Sequence, residues 1–301
     1  MFRSDSLITL IVLLHALAGA VVAQPRHYDG IDVSHHQGDI EWKKVCQNKR
    51  IQFVYIKASE GRDYQDPRYA FNISKARENK MKVGSYHFFH MSSTASEQFN
   101  NFKKMVKADE QDLIPMVDVE FKVHRRRGYH IDSYNVNNEK QRKAIVSRLR
   151  ELVDLVESHY GCKPMIYCNL ASYEYILEGN FDSYPLYVGN YRDSELNIAN
   201  CLIWQYSSAG RIQGIHSEGG KAKVCDVAAF YNGSVLADLT IGTQKVIVPQ
   251  PKAQKAKQTA KTKTAKKVGK GKKSKASAKK KVGKGKRSKA SAKKKGGKGK
   301  R

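Results

Sequence analysis

The sequence predicts an α/β protein: an incomplete TIM-like barrel of eight strands and about five helices, in which the last strands are antiparallel. Two observations predict this fold. Short segments rich in Val, Ile, Tyr and Phe recur along the first 231 residues, and several are almost continuously apolar, which is typical of strands buried on both faces. Helical patterns fill the gaps between the early segments but not those between the late ones. Parallel neighbours need a long, usually helical crossover, whereas antiparallel neighbours need only a hairpin.

The predicted elements are bounded by changes in hydrophobic period. The eight predicted strands are residues 30–36, 51–59, 82–89, 113–120, 163–169, 185–191, 201–206 and 223–231. Helices are predicted at residues 39–48, 67–79, 139–160 and 171–177. A further helix is predicted directly after the capping box that Thr94 and Glu97 form. The strongest is 139–160, because its apolar residues make one stripe and Gly161 follows as a terminator.

The N-terminal 23 residues have the pattern of a secretory signal peptide. Arg3 precedes an apolar run from Leu7 to Ala23, which is short for a membrane span of about 20 apolar residues. Small residues then precede Gln24, where cleavage is expected. The sequence therefore predicts secretion, periplasmic or extracellular, and the alternative is an uncleaved anchor.

The C-terminal residues 246–301 predict a disordered, Lys-rich tail. Residues 252–301 contain 24 Lys and Arg without any Asp or Glu, and one unit repeats at 268–281 and 282–295. Such a segment buries too little apolar surface to repay its ordering entropy. The first 251 residues hold 31 basic and 28 acidic side chains, which excludes a uniformly basic nucleic-acid-binding domain. We expect the tail to bind anionic envelope polymers or lipids, with non-specific nucleic-acid binding as the alternative.

Neither a metal nor a cofactor is expected. The five cysteines include no CxxC pair, so zinc ligation by cysteine is disfavoured and buried thiols are favoured. Secretion permits a disulfide, for which Cys201 and Cys225 are candidates. His87 and His90 would face opposite ways on a strand, so they are not expected to share a metal.

Four acidic residues lie at or near strand ends. Asp118 and Glu120 are two positions apart at the end of one apolar strand, so both point to the same face with Cα atoms roughly 6.5 Å apart. Two acids this close in a partly apolar cavity raise one pKa. Asp32 ends the first strand and Asp226 lies in the last, and these strands are neighbours in a closed barrel. A protonated acid beside an ionised one is what glycoside cleavage requires.

Seven motifs give the chain a specific resemblance. They are GIDVSHHQG at 30–38, FVYIKASEG at 53–61, GSYHFF at 84–89, PMVDVE at 115–120, MIYCN at 165–169, WQYS at 204–207 and the strand that holds Asp226. In this order they resemble the glycoside hydrolase family 25 lysozymes, N-acetylmuramidases of the Chalaropsis and cellosyl type. The resemblance spans residues 30–231, and therefore most of a barrel domain predicted at 24–245.

The resemblance implies hydrolysis of the β-1,4 bond between N-acetylmuramic acid and N-acetylglucosamine in peptidoglycan. It implies that Glu120 is the general acid, which retains a proton at working pH, and that Asp118 stabilises the charged intermediate or orients the acetamido group. Asp32 and Asp226 would support the site. Attack by the acetamido group and direct attack by water both remain open as routes.

Two positions depart from the family pattern. Many members have an aromatic residue where His36 stands, and an Asn where Ala228 stands. The second departure favours, as an alternative, a non-catalytic barrel that binds cell-wall glycan. A third hypothesis is a nucleic-acid-binding protein led by its tail.

Further residues are candidates for substrate contact or support. Four aromatic strand residues are candidates for stacking against sugars: Tyr86, Tyr167, Trp204 and Tyr206. The loop residue Asp66 is a candidate substrate contact. Glu60, at the end of the second predicted strand, is an alternative candidate for the catalytic acid. The basic loop 121–138 either rims the cleft or is a solvated insertion. We expect a monomer.

Overall fold

The computed structural model describes residues 27–120, 122–124, 128–131, 134–192, 196–215 and 224–243. The predicted signal peptide at 1–23 lies outside these residues, as does the predicted tail at 246–301. Both therefore stay predictions.

Twelve strands occur in the described chain. They are β1 (Gly30–Val33), β2 (Phe53–Glu60), β3 (Tyr64–Gln65), β4 (Lys82–Phe88), β5 (Met116–Val119), β6 (Lys122–His124), β7 (Gly128–Ile131), β8 (Tyr134–Asn135), β9 (Met165–Asn169), β10 (Leu186–Gly189), β11 (Cys201–Gly210) and β12 (Cys225–Phe230). Eight of them pair in the order β1-β12-β11-β10-β9-β5-β4-β2, and β2 pairs with β1, so this sheet closes into a barrel. Each of the eight predicted strands overlaps one barrel strand, which confirms the predicted fold.

The direction of the last strands follows the prediction in part. β12 is antiparallel to both of its neighbours, β11 and β1. β11 is parallel to β10, although only residues 190–200 connect them. The other barrel pairs are parallel as well. The barrel is therefore mixed, and its final strand reverses direction.

Six α-helical segments, besides two short 3-10 turns, surround the barrel in the part of the chain that is described. They are α1 (Trp42–Gln47), α2 (Tyr69–Glu78), α3 (Ala95–Met105), α4 (Glu139–Tyr160), α5 (Leu170–Ser172, continued by the π-helical turn Tyr173–Leu177) and α6 (Leu236–Leu239). The first five match the predicted helices, and α6 is a single extra turn.

The local signals that predicted α3 and α4 are present in their structures. At α3, the Thr94 hydroxyl accepts from the Glu97 backbone N–H, and the Glu97 carboxylate accepts from the Thr94 backbone N–H. These two bonds form the predicted capping box. At α4, the predicted apolar stripe is fully buried, and Gly161 ends the helix in the left-handed conformation with φ 69°. The stripe consists of Ile145, Leu149, Leu152, Val153 and Val156.

Aromatic side chains fill the interior of the barrel at the end where the strands begin. A Cβ on Gly30 would lie 2.2 Å from the Phe53 ring, so glycine is required where this ring crosses β1. The Tyr55 and Tyr187 rings lie 6.3 Å apart, and the Tyr55 hydroxyl donates to the Ile114 carbonyl. Because this end is filled, open space remains at the end where the parallel strands finish, where TIM-like barrels place their sites.

The predicted basic loop at 121–138 contains a small separate sheet. β6, β7 and β8 pair antiparallel in that order, directly after Glu120. All five cysteines lie in the described chain and are free thiols, so the candidate disulfide between Cys201 and Cys225 is not formed. In the described segments, no helix has the length and apolar character that crossing a membrane requires.

Candidate active site

An open cleft of about 330 Å³ lies where the parallel strands of the barrel end. All four predicted acids line it: Asp32 from β1, Asp118 from β5, Glu120 directly after β5, and Asp226 from β12. The spacing of two residues does bring Asp118 and Glu120 to the same side of the sheet, as alternation along a strand requires. Four carboxyl groups from three strands therefore share one cavity.

Asp32 and Asp226 form a pair across two adjacent strands. They stand directly opposite each other in the antiparallel register of β1 and β12, and their carboxyl groups are hydrogen-bonded to each other. Burial raises the pKa of Asp32. Burial followed by the charge of Asp32 raises the pKa of Asp226 to about 8. This pair therefore retains a proton at neutral pH.

Asp118 is the most deeply placed acid of the DxE motif. Only 9% of its surface is exposed, and its Oδ1 atom is buried without a hydrogen-bond partner among the residues described. Burial first, and the charge of Glu120 second, raise the pKa of Asp118 well above its ordinary value, while the Lys57 charge opposes this shift. Glu120 is only half-buried. The sequence-based expectation assigned the retained proton to Glu120, whereas the structure gives a raised pKa to its more buried neighbour.

An ion-pair cluster forms the wall beside Asp118. The Lys57 ammonium lines the cleft and lies 2.6 Å from Glu60 Oε2, over the ring of Phe88. His90 Nε2 lies 2.7 Å from Glu60 Oε1. The hydrogen bonds from His90 and Lys57 lower the pKa of Glu60 to about 2. Glu60 therefore stays ionised. An ionised carboxylate is suited to pairing with Lys57 and not to donating a proton, which is the alternative role that the sequence suggested for it.

The predicted substrate contacts divide into two groups. Tyr86 and Tyr167 line the cleft. Trp204 is 2% exposed, and its indole N–H donates to the Asn190 carbonyl. Tyr206 donates to the His27 carbonyl. The structure does not bring these two to the cleft, because Gln205 between them faces it and neighbouring strand residues face the opposite side.

Asp66 also lies outside the lining of the cleft, where it supports a turn. Its buried carboxylate accepts from the His35 backbone N–H at 3.0 Å and lies 2.9 Å from His35 Nδ1. It thereby holds the turn that carries His36, which does line the cleft. Asp66 therefore orients the rim of the cleft instead of facing its interior.

Besides Lys57, Tyr191 and Gln205 line the cleft, although neither was among the candidate site residues predicted from the sequence. Tyr191 follows β10, lines the cleft and is 52% exposed. Gln205 is buried and donates to Asp32 Oδ2 at 2.9 Å. A signal for Tyr191 was its position at a strand end, which is where barrels place site residues.

The side chains of His87 and His90 both have protein partners. His87 is buried, with Nδ1 2.8 Å from the Ser59 hydroxyl. His90 is paired with Glu60, as above. No group of three or more His, Cys, Asp or Glu within the described ranges is arranged to hold a metal ion.

The buried acids predict an unusual dependence of stability on pH. The folded protein keeps the Asp226 proton up to about pH 8, whereas the unfolded chain loses it near 3.8. The contribution of Asp226 to the free energy of unfolding is therefore fully present below 3.8 and is lost as the pH rises towards 8, by about 1.4 kcal/mol per pH unit. Chemical denaturation of the wild type and of Asp226→Asn across this range measures it.

The Asp226→Asn variant is expected to show a smaller decline than the wild type. Asp63→Asn is the control, because Asp63 is an exposed acid outside the lining of the cleft, and its profile should follow that of the wild type. Parallel profiles for the wild type and Asp226→Asn would contradict a proton held by Asp226.

Comparison with known proteins places this barrel in a family. The profile of the glycosyl hydrolases family 25 matches residues 31–215. The chain is 33% identical to the Escherichia coli K12 protein YegX over 193 residues, which cover 62% of this chain and 65% of YegX. It is 28% identical to the autolytic lysozyme of Clostridium acetobutylicum over 187 residues, which cover 62% of this chain and 52% of that protein. The chain thus spans less than two thirds of the length of either relative.

A solved structure shows the same architecture. The family 25 glycosyl hydrolase from Bacillus anthracis superposes with a TM-score of 0.57 at 26% identity, over 70% of this chain and 96% of that one. The profile match covers more than half of the chain and includes Asp32 of β1, the DxE motif at the end of β5 and most of the barrel. The chain therefore belongs to glycosyl hydrolase family 25.

Proposed function

We propose that the protein is a secreted lysozyme, an N-acetylmuramidase that hydrolyses the β-1,4 bond between N-acetylmuramic acid and N-acetylglucosamine in peptidoglycan. The observation that carries the proposal is the convergence of Asp118 and Glu120 in one open cleft with two further carboxyl groups. The family of this chain and its similarity to a protein named an autolytic lysozyme support it.

Glu120 is the proposed general acid. It is the acid of the DxE motif that is not deeply buried, and it lines the cleft, so a glycosidic oxygen can approach it. A general acid must come within hydrogen-bond distance of the oxygen that it protonates. Any of the other three carboxyl groups that is ionised places a like charge in the same cleft, which disfavours a second negative charge on Glu120.

Asp118 is proposed to position the substrate and to stabilise positive charge. Its buried Oδ1 has no hydrogen-bond donor among the described residues, and a buried acceptor without a donor costs free energy. The N–H of an acetamido group is a donor that satisfies it. An ionised Asp118 would also stabilise the positive charge that develops at the sugar during glycoside cleavage.

Tyrosines are the proposed sugar contacts. Tyr86 and Tyr167 keep the role that the sequence suggested, and Tyr191 joins them because its exposed ring lines the same cleft. Flat apolar rings beside hydrogen-bonding groups are typical of small-ligand clefts.

The alternative is a barrel that binds cell-wall glycan without cutting it. The specific observation in its favour is Ala228, which lies on β12 directly opposite both Gly30 and Gln205 and supplies no polar group there. Incubation with insoluble peptidoglycan, followed by measurement of bound protein and of new reducing ends, distinguishes the two. The lysozyme releases reducing ends, whereas the binding barrel sediments with the wall and releases none.

The lysine-rich tail is proposed to adsorb the enzyme to anionic envelope polymers or lipids. Binding that releases counterions weakens steeply with salt, so adsorption of the full chain to anionic vesicles or walls should fall at least about tenfold between about 50 and 200 mM salt. Deletion of residues 252–301, which hold 24 basic side chains, should remove most of this adsorption. Co-sedimentation at several salt concentrations measures it.

Three outcomes separate the possible partners of the tail. Activity on short soluble muropeptides should be equal with and without residues 252–301, because the described residues that line the proposed cleft all precede residue 252. Adsorption that is indifferent to salt would contradict the proposal. Equally tight binding to duplex DNA and to vesicles would favour a non-specific polycation over an envelope ligand.

A further inference from the structure

A buried hydrogen-bond network reaches Asp32 from two neighbouring strands. Asp32 Oδ2 accepts from the Tyr187 hydroxyl at 2.8 Å and from Gln205 Nε2 at 2.9 Å. Both donors are buried, at 0% and 2% exposure. Hydrogen bonds donated to a carboxylate favour its ionised form, and they are stronger when the acceptor is charged.

The direction of the Gln205 amide is set by two phenols. Gln205 Oε1 accepts from the Tyr167 hydroxyl at 2.8 Å and from the Tyr191 hydroxyl at 2.7 Å. With both lone pairs of Oε1 engaged, the NH₂ group is left facing Asp32. The reverse orientation would place two acceptors, Oε1 and Asp32 Oδ2, against each other.

Gly189 leaves room for this arrangement. A Cβ at this position of β10 would lie 2.5 Å from the Tyr167 hydroxyl and 3.3 Å from Gln205 Oε1. Any side chain there would therefore displace the phenol from the amide that it orients.

The proton shared by the Asp32–Asp226 pair must then reside preferentially on one of the two carboxyl groups. Asp32 accepts from Tyr187, Gln205 and Asp226, and each of these bonds opposes the effect of its burial. We propose that Gln205 is a positioning residue that keeps Asp32 ionised and leaves the shared proton on Asp226. Tyr167 and Tyr191 fix the direction in which its amide points.

The surroundings of the pair agree with one negative charge and one retained proton. Burial and the negative charges of Asp32 and Glu120 raise the pKa of Asp226 to about 8. A second negative charge beside Asp32 is therefore unfavourable at neutral pH. The other titratable or charged groups that face the pair from the surrounding strands are Lys57, Tyr86, Asp118, Glu120, Tyr167, Tyr187, Tyr191 and Cys225.

Carboxyl ¹³C NMR of the full chain labelled at aspartate tests the inference directly. Resonances of the pair are assigned by their loss in Asp32→Asn and Asp226→Asn. In the wild type, Asp32 should ionise at a lower pH than Asp226. In Gln205→Met, the Asp32 midpoint should rise by about one pH unit, which corresponds to the loss of one hydrogen bond to a charged group.

Variants of the phenols provide matched controls. Tyr191→Phe leaves Tyr167 on Oε1, so it should move the Asp32 midpoint by less than half as much as Gln205→Met. The double variant Tyr167→Phe with Tyr191→Phe frees the amide to rotate and should match Gln205→Met. Tyr187→Phe removes the other donor to Asp32 Oδ2 and should also raise its midpoint. If these side chains only stabilised the fold, their substitutions would lower the melting temperature. They would not combine a small shift of the Asp32 midpoint in Tyr191→Phe with a full shift in the double variant.

The inference deepens the proposed function but its NMR readout does not depend on activity. If the midpoints move as expected and no peptidoglycan is cut, the inference stands and the proposed function fails. If Gln205→Met does not fold, the phenol double variant makes the same test. An Asp32 midpoint above that of Asp226 in the wild type, or one unmoved in both variants, would overturn the inference.

Discussion

Replacement of Glu120 by Gln is expected to lower the rate of peptidoglycan hydrolysis roughly 100-fold to 10,000-fold, the range typical of a lost general acid. Gln has the same shape and can hydrogen-bond the glycosidic oxygen, but it has no proton to transfer. Because Glu120 lines an open cleft and is only half-buried, the substitution should leave the fold intact. The rate of appearance of new reducing ends, at saturating substrate, measures the effect on turnover.

Glu78→Gln is the matched control for this experiment. Glu78 lies on α2, exposed and paired with Lys75, outside the residues that line the cleft. Its variant should hydrolyse peptidoglycan at the rate of the wild type. If Glu120→Gln also retained the rate of the wild type, while its melting temperature was unchanged, Glu120 would be removed from the mechanism.

Replacement of Asp118 by Asn is expected to have two opposite effects. Hydrolysis should fall roughly 100-fold to 1,000-fold, as for the loss of one group that stabilises transition-state charge. Stability at neutral and higher pH should increase, because burial and the charge of Glu120 raise the pKa of Asp118 and so make its ionised form unfavourable in the folded protein. Active-site carboxyl groups of this kind decrease stability in exchange for function.

The sign of the second effect follows from proton linkage. Between the pKa of Asp118 in the unfolded chain and its raised pKa in the folded protein, the folded state holds the extra proton. Stability of the wild type therefore falls as pH rises through that interval, by about 1.4 kcal/mol per pH unit. Asn has no proton to lose, so the advantage of the variant should grow with pH.

Denaturant unfolding of both proteins near pH 5 and near pH 8 checks this. The Asp118→Asn variant should gain stability relative to the wild type at the higher pH. If it were less stable than the wild type at both values, the buried carboxyl would not be a source of strain, and the proposed role of its unsatisfied Oδ1 would have to be abandoned.

The barrel and its acids were predictable because local pattern determines both. Strands buried on both faces appear as apolar runs, and every predicted run overlaps a barrel strand. Asp118 and Glu120 share a face because side chains alternate along a strand. Asp32 and Asp226 meet because the first and last strands of a closed barrel are neighbours. None of these inferences required knowledge of a side-chain conformation.

The remainder of the site depends on contacts that local pattern does not encode. Gln205 reaches Asp32 across 173 positions of sequence, and Tyr167 reaches Gln205 across 38. The proton expected on Glu120 was assigned without knowing that Asp118 is the more buried acid. Trp204 was selected for its residue type, whereas its side chain faces away from the cleft because Gln205 beside it faces inward.

The identity of the cut bond tests the central claim most directly. Purified wall peptidoglycan is digested with the full-length protein, the soluble muropeptides are reduced with borohydride, and their masses and fragments are determined. The reduced ends are expected to be N-acetylmuramitol, and Glu120→Gln is expected to release almost none of these products. Products that end in N-acetylglucosaminitol, or wall that binds the protein and releases no muropeptides, would contradict the central claim.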